Sequence, residues 1–149
     1  EQAIEAVWEK HFIIRTSWVY SQFGSNFLKT MLRLASERTS LSVVSDQIGT
    51  PTYAVDLAEV LLKIVTSKTK TFGIYNFSNE GQCSWYDFAH EIFLQKDITI
   101  DLQAISTKLY PTPAKRPAYS VLDKSKIKAT FGVNINDWKT SLNNCLKHY

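Results

Sequence analysis

Apolar residues along the chain keep two rhythms, one of about 3.6 residues and one of two, and their succession predicts the elements. Ala3, Ile4, Val7 and Trp8 share a helical face, so a helix is already under way at the first residue. Phe12 to Thr16, or slightly beyond, reads as a strand. Phe27, Leu28, Met31, Leu32, Leu34 and Ala35 predict a helix from about Asn26 to Ser36. Leu41 to Ser45 is a short strand, and "DQIGTPT" after it is a loop, since Pro51 turns Thr50 away from helical geometry. Leu57, Val60, Leu61, Ile64 and Val65 form the stripe of an amphipathic helix. "FGIYNF" predicts a third strand, closed by the turn residues of "SNEG". Ser84 with Asp87 three residues on marks a helix start, and Phe88, Ala89, Ile92 and Phe93 give that helix its buried face. Ile98, Ile100, Leu102 and Ala104 alternate as in a strand with one face covered. "STKLYPTPAKRPAYS" holds three of the four prolines and is irregular. Asp123 is expected to cap a short helix ending at Gly132, and Trp138, Leu142, Cys145 and Leu146 form the apolar face of the last.

Strands alternating with helices predict an α/β or α+β domain. At 149 residues with 44% hydrophobic and 21% charged residues, the chain has the balance of one soluble domain, which excludes intrinsic disorder. The most apolar run, Val55 to Val65, is interrupted by Asp56, Glu59 and Lys63, so no membrane partner is expected. A net charge of +3, spread along the chain, does not suit a nucleic-acid partner. Lys124, Lys126 and Lys128 read as the solvated face of a helix. Cys83 and Cys145 form no CxxC, and His11, His90 and His148 are scattered. Reduced thiols in a cytoplasmic protein, without a metal site, are therefore expected. The opening helix has no start signal and no leader precedes it, which predicts a fragment of a longer chain.

The candidate chemistry lies in loops. The glycines at 24, 49, 73, 81 and 132 give neither GxGxxG nor a P-loop, no serine sits in GxSxG, and no catalytic constellation is visible. What stands out are residues at strand ends, where open α/β sheets bind ligands: Arg15 to Tyr20, Asp46 to Thr52, and Lys115 to Ser120. Each has a plain structural reading as well. Trp18 would serve as a core aromatic, Gln47 as a turn residue, Arg116 as a surface ion-pair partner, and Asn26 as the N-cap of its helix.

Taken together, "RTSWVYSQFGSNFLKTMLRLA", "SVVSDQIGTPTYAVDLAEVLLKI", "GIYNFSNEGQCSWYDFAHEIF" and "KRPAYSVLDKSKI" resemble, in order, the C-terminal half of the dTDP-4-dehydrorhamnose reductase family of extended short-chain dehydrogenases. The resemblance implies the C-terminal part of a Rossmann-like α/β fold with the small substrate-binding lobe, the N-terminal cofactor half being absent. Residues 1–45 would contribute the last elements of the Rossmann-like sheet. It also implies NADPH or NADH in the full-length enzyme, with none expected bound to this piece, and a dTDP-sugar as substrate. Thr16 and Ser17 would lie beside the nicotinamide, and Trp18 would cover the hexose. Asn26 and Phe27 would meet the nucleotide, Gln47 would bond nucleotide or sugar, and Arg116 would clamp the diphosphate. The family's catalytic Tyr-x-x-x-Lys is missing, because no tyrosine here has a lysine four residues on, so this piece is expected to be inactive. Two other readings stay open. One is an interaction subunit like the regulatory subunit of methionine adenosyltransferase; the other is a different nucleotide-sugar epimerase or reductase. Trp18, Gln47 and Arg116 together favour the reductase, and a cut domain of this kind is expected to allow a homodimer.

Overall fold

A computed structural model describes residues 1–149, and its elements follow the apolar rhythms closely. In chain order they are α1 (Gln2–Val7), β1 (Phe12–Arg15), β2 (Val19–Tyr20), α2 (Phe27–Glu37), β3 (Ser40–Val44), β4 (Ile48–Gly49), β5 (Thr52–Tyr53), α3 (Ala54–Thr66), β6 (Gly73–Asn76), β7 (Cys83–Ser84), α4 (Trp85–Gln95), β8 (Asp101–Ile105), α5 (Ser125–Phe131) and α6 (Trp138–Leu146). The strands meet in pairs. β1 runs parallel to β6, β2 to β5 and β3 to β8, while β4 and β7 are antiparallel.

Two apolar cores result. The larger joins α2, α4 and α6 over β2, β3 and β5, with Leu28, Phe88, Ile92 and Leu142 wholly buried. The smaller seals β6 under α3 and α5 through Val60, Ile64, Tyr75, Phe77, Ile127 and Phe131. A buried polar knot lies between them. Asn79 accepts from Tyr53 N (2.8 Å) and donates to Asp56 (2.5 Å) and to Ser141 Oγ (2.8 Å), and its carbonyl accepts from Lys124 Nζ (3.0 Å). The start of α3, the loop after β6, α5 and α6 are thereby tied at one residue.

Several expectations change. The face of α1 is uncovered, with Val7 78% and Trp8 61% exposed. The loop "DQIGTPT" contains β4 and the first residue of β5, because its backbone pairs with β7 and β2. β8 begins at Asp101 instead of Ile98, since Ile98 N bonds Phe93 O and closes the end of α4; Ile98 and Ile100 still pack on the larger core. β1 pairs with β6, and β3 pairs with β8 in a separate ribbon. Asp123 is not the N-cap of α5. Lys124 occupies that position, and the Asp123 carboxylate accepts from Ser125 N at 2.9 Å.

Of the three lysines expected on a solvated face, Lys126 and Lys128 are exposed and Lys124 is not. Lys124 is buried, bonds Asn79 O and pairs with Glu80 at 3.3 Å. Lys126 donates to Ile74 O and sits over the Tyr75 ring, and Lys128 reaches Glu80 at 2.8 Å. Partial burial opposes ionisation of Glu80, but bonds and charge from Lys128 and Lys124 outweigh it, and the net pKa is lowered. A folded-state pKa below the unfolded one stabilises above the unfolded pKa and is lost as pH falls through the folded pKa. Glu80→Gln should therefore flatten the loss of thermal midpoint on acidification below about pH 4.5. An unchanged acid slope in melting curves would contradict it.

Candidate functional site

The corner between β1 and β2 is held by hydroxyls. Thr16 Oγ1 donates to Thr52 Oγ1 (3.3 Å), Ser17 Oγ donates to Thr50 O (2.9 Å), and Trp18 O accepts from Thr52 N (3.1 Å). Trp18 itself has φ +47°, a region that bulky residues rarely occupy and that clusters at functional sites. Its indole stacks on Trp85, ring centroids 3.6 Å apart and planes 14° from parallel. Trp85 opens α4, whose start is set by a reciprocal box. Asp87 N donates to Ser84 Oγ (3.0 Å), and Ser84 N donates back to the Asp87 carboxylate (2.9 Å). Phe27 then leans on Trp85 at 4.8 Å and stacks on Phe88 at 5.5 Å. An aromatic wall thus runs from Trp18 into the core.

The second and third loops close on the same place. The carboxylate of Asp46 accepts from Thr107 N and Oγ1, the latter at 2.6 Å, and these bonds hold its pKa below the usual value. Gln47 Nε2 donates to Thr107 Oγ1 at 2.9 Å. Ile48 exchanges bonds with Ala118 and Ser120, which brings the Lys115–Ser120 segment alongside. Gly49 makes this fit possible. A Cβ there would lie 2.6 Å from Trp18 Cε2 and Cζ2 and 2.9 Å from Ser120 Oγ. Gly49→Ala should displace the indole and cost about 1–2 kcal/mol by overpacking. Urea unfolding measures that cost, and a neutral substitution would mean that the ring moves freely.

These loops enclose a cavity of about 1150 Å³. Ser17, Trp18, Phe27, Gln47 and Arg116 line it together, though they come from three distant segments. Its size exceeds the ~300–1000 Å³ common for small-molecule pockets and suits an elongated ligand. Thr16 and Asn26 are not on its lining. The Asn26 amide is engaged locally, bonding Ser21 O, Phe23 O and Lys29 N as the N-cap of α2. Arg116 is exposed on the rim and pairs with no carboxylate. Arg15, by contrast, is engaged by both carboxylate oxygens of Glu1. A separate hollow of about 240 Å³ beside Cys83 and His90 is too small for such a ligand, and its Asp87 and Glu91 already bond Ser84, Gln95 and Lys139.

Sequence reasoning missed Trp85, Arg38 and Tyr110 on the cavity wall. Trp85 carried one usable signal: an indole directly after a capping serine, at a helix start where solvent is close. Arg38 and Tyr110 had none.

The family description "RmlD substrate binding domain" matches residues 1–149. A dTDP-4-dehydrorhamnose reductase of Aggregatibacter actinomycetemcomitans is 47% identical over 146 residues, covering 91% of this chain and 49% of the relative. The crystal structure of a dTDP-4-dehydrorhamnose reductase ortholog from Clostridium acetobutylicum superposes with a TM-score of 0.93 at 41% identity, over 99% of this chain and 51% of that one. The Bacillus anthracis dTDP-4-dehydrorhamnose reductase, solved in complex with NADP, gives 0.91 at 37%, again over 99% and 51%. The chain spans about half the length of the curated relatives it matches. An α/β domain whose cavity gathers residues from the three loops, matched by the family over its whole length, belongs to the RmlD substrate-binding domain family.

Proposed function

We propose that this chain is the substrate-binding half of a dTDP-4-dehydrorhamnose reductase, which reduces the 4-keto group of dTDP-4-dehydro-L-rhamnose. The observation that carries the reading is the single cavity joining the Ser17 corner, the indole wall and Arg116. An aromatic face suits the C–H surface of a deoxyhexose, and a guanidinium suits the oxygens of a diphosphate. Trp18 covers the hexose, Phe27 meets the nucleotide, and Gln47 bonds nucleotide or sugar from a side chain already oriented by Thr107. Asn26 acts through α2, whose start it caps, so that the helix's free N–H groups favour an anion.

The donor set fits one end only of a dinucleotide. The hydroxyls of Thr16 and Ser17, both engaged as donors, keep lone pairs to accept from the carboxamide of a nicotinamide. No glycine-rich phosphate turn accompanies them. NADPH, when bound by the whole protein, supplies the hydride; this chain orients the ketone and binds the diphosphate. Residues 1–149 are the substrate-binding part, and residues 1–45 contribute through β1 to the end of a Rossmann-like sheet. Support for this comes from the β1–β6 pair, a parallel ribbon of two strands only, whereas parallel sheets are normally larger and covered on both faces. Apolar residues left bare on α1 and α3, Val7 and Val65 among them, require such a cover. A cytoplasmic setting accords with two free, buried thiols.

Calorimetry with dTDP-L-rhamnose, on this chain and on the intact protein, tests the reading. Binding by the intact protein and no NADPH oxidation by residues 1–149 alone are expected. An intact protein that ignores dTDP-sugars would refute the substrate. Turnover by this chain alone would refute the placement of the catalytic pair outside it.

A further inference from the structure

We propose that Trp85 is the positioning residue for Trp18 and so decides how the indole meets a sugar. The inference rests on the reading of the cavity as a dTDP-sugar site. With ring centroids 3.6 Å apart and planes 14° from parallel, Trp85 occupies one face of Trp18. Gly49 lies beside the benzo side of the same ring, where there is no room even for a Cβ next to Cε2 and Cζ2. A hexose is therefore confined to the part of Trp18 that these neighbours leave open. The backbone of Trp18 cannot fix the ring by itself, because φ +47° is a poor region for a bulky side chain and persists only when surrounding contacts impose it.

Trp85 is well placed to impose it. Its own backbone is set by the Ser84–Asp87 box at the start of α4, and its ring is backed by Phe27, which stacks on the wholly buried Phe88. Four rings thus carry rigidity from the core to the cavity, where Trp85 and Trp18 both reach the lining. The sugar end of the ligand should depend on this stack. The nucleotide end, held by Arg116 and touching the stack only through Phe27, should depend on it far less.

The test uses the intact protein with Trp85→Leu, Trp85→Phe and Trp18→Phe. Two stacked indoles couple excitonically in far-ultraviolet circular dichroism, so the ligand-free protein should show a couplet that Trp85→Phe and Trp18→Phe abolish alike. A couplet surviving Trp85→Phe overturns the stack. Trp85→Leu should raise KM for the keto-sugar, and Kd for dTDP-L-rhamnose, by about ten-fold, the scale of an aromatic pair. Kd for dTDP should change by less than about two-fold, and Trp85→Phe should recover most of the loss. Equal weakening of dTDP and dTDP-L-rhamnose, or no rescue by phenylalanine, would make Trp85 a general structural residue and overturn the proposal. Unmodified protein that binds dTDP but not the sugar nucleotide removes the sugar reading and this inference with it. A couplet found in that same protein would still locate the failure in the ligand and not in the stack.

Discussion

Asn79→Ala should lower the unfolding free energy by about 3–5 kcal/mol, from several buried polar groups losing their partner at once. Asn79 is wholly buried, and its side chain serves Tyr53 N, Asp56 and Ser141 Oγ. Ser141 keeps its own bond to Asp56, so the carboxylate is not orphaned; the Tyr53 amide is, and it sits at the N-cap of α3. A buried donor without an acceptor costs about 1–3 kcal/mol, and a charged neighbour stripped of one bond costs a comparable amount. Ser141→Ala, which removes one hydroxyl and leaves Asn79 to hold Asp56, should cost about half as much. Urea unfolding of the intact protein, with an unchanged m-value, is the measurement. A loss below about 1 kcal/mol for Asn79→Ala would mean that water replaces the amide and that the two cores are joined by packing alone.

That knot shows why some of the molecule could be read from its sequence and some could not. Element positions follow from local chemistry. The Ser84–Asp87 box, the αL Gly132 after α5 and the apolar stripe of α6 act within a few residues, and each is found where the pattern puts it. Asn79, by contrast, sits in "SNEG", which reads as a turn, and its partners lie 23, 26 and 62 residues away. The same limit explains the lysines of α5. Helical spacing says which residues share a face, but Glu80, Asn79 O and Ile74 O, which receive them, come from the distant β6 region. In the cavity, Trp18, Gln47 and Arg116 were visible as polar or aromatic residues misplaced in loops. Trp85 was hidden because an aromatic at the head of an amphipathic helix looks like core. Thr16 and Asn26 lie off this cavity's lining, their short polar side chains bonded to nearby backbone and hydroxyl groups at a tight corner.

Arg116→Ala in the intact protein should weaken dTDP-sugar binding by about 1.5–3 kcal/mol, roughly ten- to a hundred-and-fifty-fold in Kd. The guanidinium stands on the cavity rim without a carboxylate partner, unlike Arg15 and Arg33, which are held by Glu1 and Glu37. No internal pair has to break before it meets an anion, so its charge is available in full. Its removal should leave stability nearly unchanged, because an exposed side chain in an irregular segment carries little of the fold. Arg116→Lys separates charge from shape: a lysine keeps the attraction but loses the planar fork that engages two oxygens, and should recover only part of the affinity. Raising salt should weaken the unmodified protein more than Arg116→Ala, since the exposed contact is screened within about 8–10 Å at physiological ionic strength. A change under about 0.3 kcal/mol, or an equal salt slope in both proteins, would take Arg116 out of the site. The diphosphate would then fall to the start of α2 or to Arg38, the other guanidinium on the cavity wall.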